Sequence, residues 1–145
     1  MPVTTISAYM DLGIEIHQVY GMTDTCGPAC LIGPDDARHK IGSTGKSFFH
    51  TQVRIADDTG KELPRGEAGE VHVRGAHNMK EYWNRPDATA ETIVDGWLRT
   101  GDVATVDSRG RIRLVDRTKD LIKSGGEWIS SVELENEIIA PYDWK

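Results

Sequence analysis

Residues Asp116 to Glu135 read DRTKDLIKSGGEWISSVELE, and no simple structural period generates that order of charge, paired glycines, aromatic and helix start. Apolar residues flank Gly125 and Gly126 on both sides, and Ser130 stands three residues before Glu133, the spacing of a helix capping box. The stretch is expected to form a turn, a strand, a glycine loop closing a hairpin, and then a helix from near Ser131 to about Ile139. Val132, Leu134 and Ile138 supply that helix with one apolar face.

Upstream, from Ile41 to Val115, the pattern is one of short alternating apolar runs: Val53 with Ile55, Val71 with Val73, Val103 with Val106, Ile112 with Leu114. The turn-forming stretches DDTG, PRGEAG and DSRG separate them, which predicts a small antiparallel β unit. Pro86 to Val94 (PDATAETIV) has helix-start residues and good helix formers, so one short helix interrupts the sheet. The chain opens with SAYMDLGIEIHQVYG, a helix end, a stop at Gly13 and an expected strand over Ile14 to Val19 that delivers a loop. The fold class is α+β, mostly β: a β-barrel-like antiparallel unit, an α/β edge strand before it and a hinge-linked hairpin plus helix after it. Its expected divisions are 1–40, 41–117 and 118–145.

Composition excludes several function classes. Seventeen basic residues stand against twenty-three acidic ones, a net charge of −6, and the basic residues are scattered, so a nucleic-acid surface is not expected. No stretch approaches the eighteen or so apolar residues of a membrane span, and the first twenty residues lack a basic start followed by an apolar run, which reads as soluble and cytoplasmic. Cys26 and Cys30 offer two thiolates where a structural zinc wants four ligands, and none of the five histidines sits at a ligand spacing from another or from a cysteine. GSTGKS at Gly42 to Ser47 ends like a phosphate-binding P-loop, but Lys40 occupies the position of the required first glycine. Its glycines are expected to serve turns at the start of the β unit.

Two further motifs bear chemistry. YGMTD, Tyr20 to Asp24, follows the expected strand, and α/β sheets bind ligands beyond the carboxyl ends of their strands. Gly21 lets the backbone approach a ligand and Thr23 offers a hydroxyl; an incidental surface turn is the competing reading. RTGD, Arg99 to Asp102, supplies a carboxylate, an acceptor-only group suited to two adjacent hydroxyl donors, although an isolated TGD also suits a plain turn.

Taken in order along the chain, YGMTD, RTGD and the Asp116 to Glu135 run closely resemble the adenylate-forming enzymes, in particular the acyl-CoA synthetases that activate fatty acids. The resemblance implies ATP and AMP, Mg2+ and coenzyme A as ligands, with a carboxylic acid as the other substrate. It places Tyr20 against adenine, Gly21 where the backbone nears the nucleotide, Thr23 on the α-phosphate, and Asp102 and Arg117 on the ribose. Asp24 matches the metal-holding position, where the family usually has glutamate, one methylene longer. Lys119 matches a hinge between two half-reactions, and Lys123, Gly125 and Gly126 match the loop that approaches the active site for thioester formation. Gly126 would line the pantetheine channel, with Glu127 and Trp128 as orienting or channel residues beside it.

The resemblance covers residues 9 to 140 and corresponds to about the middle quarter of a complete synthetase. Neither the family's Ser/Thr/Gly-rich phosphate loop nor its late lysine has a counterpart, so the chain alone is expected to lack ligase activity. The alternative is a stand-alone or complementing module that binds AMP or coenzyme A without catalysis. Self-association is expected through apolar surfaces left unpaired, by way of the Ile14 to Val19 strand or exchange of the final helix.

Overall fold

The computed structural model describes residues 3–119, together with the backbone of strands at 122–124 and 127–129. Helix α1 (Val3–Asp11) ends at Gly13, whose φ of +80° is a left-handed conformation that glycine adopts without a Cβ clash. Strands β1 (Val19–Met22) and β2 (Gly27–Leu31) form an antiparallel hairpin around a 3-10 turn at Thr23–Thr25. The short helix α2 (Pro34–Ala37) and the two-residue strand β3 (Lys46–Ser47) follow, β3 pairing with β2.

The strand expected over Ile14 to Val19 is displaced. Residues 14–18 are irregular, Ile14 is 47% exposed, and pairing begins at Val19. What sets the register is the turn: the buried Thr25 hydroxyl accepts the Met22 N–H at 3.0 Å and lies 2.7 Å from the Gly27 carbonyl. That locks Tyr20, Gly21 and Met22 into the hairpin, and the ladder reaches back only to Gln18, whose carbonyl accepts the Ile32 N–H at 3.1 Å.

The second sheet contains β4 (Thr51–Ala56), β5 (Gly69–Gly75), β6 (Ile93–Val94), β7 (Trp97–Val106) and β8 (Ile112–Arg117), with helix α3 (Pro86–Thr92) inserted before β6. Its order is β4-β5-β7, with β6 on the first residues of β7 and β8 on the last; every pairing is antiparallel and the sheet curls as a half-barrel. The alternating residues identified in the sequence form these strands, and α3 falls on PDATAET as expected. Backbone pairing of β9 (Ile122–Ser124) with β10 (Glu127–Ile129) gives the expected hairpin; the expected helix at 131–139 lies outside the described residues.

One core joins the two sheets. Val71 and Val73 are fully buried and pack with Ile55, Ala104 and Ile112 from the half-barrel and with Tyr20, Ala29 and Cys30 from the hairpin. Removing such side chains from water stabilises the fold by about 1.5–3 kcal/mol each. Burial also pushes the Cys30 thiol up to about 12, so it behaves as a small apolar group, whereas Cys26 is exposed and both are free thiols.

The GSTGKS segment stitches the sheets together. Thr44 N–H donates to the Ile112 carbonyl at 2.9 Å and Ile112 N–H donates to the Gly45 carbonyl at 2.7 Å. Gly45, at φ +79°, passes so close to β2 that a Cβ there would stand 2.1 Å from the Leu31 carbonyl oxygen. Its role is a tight crossing, in keeping with the turn-serving glycines expected for this segment. Beside it, the buried Arg111 forks onto both carboxylate oxygens of Asp36, at 2.8 and 2.6 Å, and ties α2 to the β7–β8 hairpin.

Candidate functional site

The site is built on a bulge in β7. Against β5, Glu70 pairs with Val103 and His72 pairs with Arg99, so the single residue Val71 faces Thr100, Gly101 and Asp102. Those three residues arch away from the ladder, with Gly101 at φ +72°. The Thr100 side chain and the backbone of Thr118 replace ladder bonds that are lost. Thr100 Oγ1 donates to the Val71 carbonyl at 2.8 Å and accepts the Asp102 N–H at 3.2 Å, and Thr118 N–H donates to the Gly101 carbonyl at 2.8 Å.

The arch carries Asp102 to the junction of the two sheets. The Tyr20 hydroxyl donates to Asp102 Oδ2 at 2.8 Å, and Arg117, its register partner on β8, brings Nε to 3.5 Å from Oδ1. The Asp102 side chain is 16% exposed and that of Arg117 is 61% exposed, so a largely buried carboxylate sits in a recess beside a solvated cation. Tyr20 itself is only 6% exposed. Its ring is packed in the core, and its contribution at the surface of the site is the hydroxyl on Asp102. Burial, ahead of the adjoining Asp102 charge, pushes its phenol well above the usual range, so the hydroxyl keeps its proton and remains a donor.

The remaining YGMTD residues lie at the hairpin tip. Gly21 is imposed by the hairpin, since a Cβ there would meet the Gly27 carbonyl oxygen at 2.3 Å. Val19 and Gly21, which alternate with Tyr20 along β1, line an open concavity of about 490 Å³ with Met22, Thr23, Gly27 and Pro28. Asp102 and Arg117 do not line it. Thr23 is exposed at the start of the 3-10 turn. Asp24 turns toward the loop before α3, where the Tyr82 hydroxyl donates to its Oδ2 at 2.7 Å and Met79 N–H donates to its backbone carbonyl at 2.8 Å. The Asp24 carboxylate, ahead of burial, pushes the Tyr82 phenol up, so that hydroxyl too is a firm donor.

Among the described residues no three or more His, Cys, Asp or Glu side chains gather as a metal cage. Asp24 offers one oriented carboxylate, with Oδ2 held by Tyr82. That donor set suits magnesium shared with phosphate oxygens, the usual manner in which this ion is held, and does not suit a fully protein-ligated cation. The side chains of Lys123, Glu127 and Trp128, and residues Gly125 and Gly126, lie outside the described residues. No described helix is long and apolar enough to cross a membrane.

Beneath the arch is a cluster that sequence reasoning passed over. Glu70 Oε2 accepts Arg99 Nε and Nη2 at 3.0 and 2.8 Å and lies 3.2 Å from His72 Nε2, while Oε1 accepts the Gly101 N–H at 3.0 Å. Arg54 Nη2 is 3.4 Å from His72 Nδ1; a guanidinium only donates, so the ring proton lies on Nε2 and points to Glu70. Trp97 is flanked by the Arg54 and Arg74 guanidinium groups, at 4.2 and 4.5 Å from the ring centre. Burial opposes the Glu70 charge, yet the hydrogen bonds from His72, Arg99 and Gly101 outweigh it and bring the carboxyl down to about 2. The available signal was the alternation Glu70, His72, Arg74 on β5 opposite Gln52 and Arg54 on β4.

Comparison with known proteins gives a consistent picture. A family model described as AMP-binding enzyme matches residues 1–83. A feruloyl-CoA synthase of an Amycolatopsis species is 46% identical over 138 residues, covering 95% of this chain and 28% of that protein. A long-chain-fatty-acid–CoA ligase of Mycobacterium tuberculosis is 41% identical over 139 residues, covering 96% of this chain and 27% of that protein. Among solved structures, the O-succinylbenzoate coenzyme A synthetase of Bacillus subtilis in complex with ATP and magnesium ion superposes with a TM-score of 0.89 at 36% identity, covering 97% of this chain and 29% of that one. The chain thus spans about 28% of the length of the curated relatives it matches.

Proposed function

The chain belongs to the AMP-binding enzyme family, and on that premise we propose that it forms the nucleotide-holding face of an acid–CoA ligase. In that reaction a carboxylate oxygen bonds to the α-phosphorus of ATP as the bond to pyrophosphate breaks; the thiol of coenzyme A then bonds to the acyl carbon and AMP leaves. The observation that carries the reading is the meeting of Tyr20, Asp102 and Arg117, three residues from separate motifs, at one recess.

Asp102 accepts from the two ribose hydroxyls, an arrangement open to an ionised carboxylate whose remaining donor, Tyr20, approaches from the protein side. Arg117, exposed and close, adds donors from the opposite rim. Thr23 contributes its hydroxyl to the α-phosphate, and Gly21 leaves the backbone clear beside it. Asp24 and the phosphates would share magnesium, which when bound neutralises charge on the transferring phosphoryl group. Lys123, Gly125 and Gly126 serve the coenzyme A step in this reading, on the strength of their place in the sequence.

The acid in this reading is an organic carboxylic acid. A fatty acid draws support from the long-chain relative, and an aromatic acid draws support from the feruloyl relative. Leu12, Phe49 and Trp83 are exposed at 75%, 80% and 84%, which supports self-association; light scattering across concentrations reads this directly, and a concentration-independent monomer would remove it. Titration calorimetry with AMP tests the nucleotide assignment. Saturable heat that disappears in Asp102→Ala is expected, and wild-type heat that persists in Asp102→Ala would overturn it.

A further inference from the structure

We propose that Glu70 is the positioning residue of the ribose site: its carboxylate substitutes for the missing strand ladder under the Thr100–Asp102 arch and thereby fixes the direction in which Asp102 points. The inference rests on the nucleotide reading given above, because it assigns a job to Asp102.

The backbone geometry creates the need. Where one residue of β5 faces three of β7, Gly101 N–H loses the ladder partner that a regular strand would give it. An unpaired amide at such a place costs free energy and leaves the arch free to collapse or swing. Glu70 Oε1 supplies the acceptor at 3.0 Å. The same carboxylate is held from its other side by the two Arg99 donors and by His72, which is 2% exposed. The Glu70 side chain is 16% exposed, and its donors come from His72 on β5, from Arg99 before the bulge and from Gly101 within it, with Arg54 on β4 held against His72 behind them. A group held from several directions cannot follow a shift of the arch without losing bonds, so it acts as a fixed post. Asp102 is the next residue after Gly101, and Tyr20 fixes only one of its oxygens. Glu70 never touches the nucleotide; it acts through the peptide it holds.

The side-chain length is what matters at Gly101, and the charge is what matters at Arg99. Glu70→Gln keeps an oxygen at the same reach, Glu70→Asp keeps the charge but draws it back by one methylene, and Glu70→Ala removes both. The probes are AMP and its 2′,3′-dideoxy analogue, titrated against the chain, together with amide hydrogen exchange at Gly101 read by NMR without nucleotide. Wild type is expected to prefer AMP over the dideoxy analogue, and Glu70→Asp and Glu70→Ala to lose about tenfold in AMP affinity while binding the analogue almost unchanged; Glu70→Gln, which offers one oxygen to Gly101 but turns an NH2 donor on Arg99 and His72, is expected to recover only part of the loss. A general weakening of the fold would lower both affinities together and leave their ratio intact. That ratio, unchanged in Glu70→Asp, would overturn the proposal even where Glu70→Ala does not fold.

Failure of the nucleotide reading is visible separately, as wild-type protein that binds neither probe. The exchange measurement still judges the post in that case. Gly101 protected in wild type but fast in Glu70→Asp and Glu70→Ala supports it, and equal protection in all three refutes it.

Discussion

Tyr20→Phe isolates the bond that joins the hairpin to the half-barrel at the site. Phenylalanine fills the same core space among Ala29, Cys30 and Ile55, so the change removes one hydroxyl and nothing else from the packing. The lost bond is 2.8 Å long and runs to an ionisable acceptor whose side chain is 16% exposed. Hydrogen bonds to charged groups contribute about 1.5–3 kcal/mol, and Arg117, 3.5 Å away and 61% exposed, is too solvated to compensate fully. With a urea slope of about 2 kcal/mol per molar, the unfolding midpoint should fall by roughly 1 M. The cleaner measurement is a cycle of Tyr20→Phe, Asp102→Ala and the double variant. If the bond is as described, the two losses overlap by at least ~1 kcal/mol. Losses that add to within about 0.5 kcal/mol would show that the two residues do not interact, and the convergence at the recess would have to be abandoned.

Three further outcomes follow from the same structure. Glu70 has a folded value of about 2 against an ordinary 4.5, so its stabilisation is fully present above about pH 4.5 and is lost as pH falls toward 2; the stability gap between wild type and Glu70→Gln, measured by urea unfolding, should narrow across that window. Gly45→Ala sets a Cβ 2.1 Å from the Leu31 oxygen at φ +79° and should cost about 2–4 kcal/mol, whereas Gly110→Ala, at φ +78° with open space, should cost only about 1–2 kcal/mol by thermal melting. Asp36→Asn breaks the fork on the buried Arg111 and should lower the urea midpoint clearly, while Asp87→Asn, whose ion pair with Arg85 is exposed at both ends, should leave it nearly unchanged.

The half-barrel was legible because its strands alternate: Val53, Ile55, Val71 and Val73 mark the core face by a local period, and glycine-rich turns mark the ends. The opening strand was misplaced for the same reason. Ile14 and Ile16 alternate as well, but a strand also needs a partner, and the partner is chosen by the Thr25 turn, which a period cannot report. At the site, Tyr20, Asp102 and Arg117 could be named from motif order, while the burial of the Tyr20 ring could not, since it depends on packing against β4 and β5. The Glu70 cluster was invisible for a similar reason. Glu70 and His72 look like the solvated face of an alternating strand until the register sets Arg54 and Arg99 opposite them. Nothing short of strand pairing distinguishes a freely solvated polar face from a hydrogen-bonded one.

The Tyr20 to Asp102 bond closes a loop of 82 residues that contains the pairings of β4 with β5 and of β6 with β7. Local hairpins such as β7 with β8 form cheaply, while joining distant segments must wait until intervening chain entropy has been lost. The junction at Asp102, which the proposed function assigns to the ribose, is therefore expected to be a late product of refolding. After dilution from urea, strand content measured by circular dichroism should rise before nucleotide capture does, and a half-collapsed chain has no grip on AMP at all.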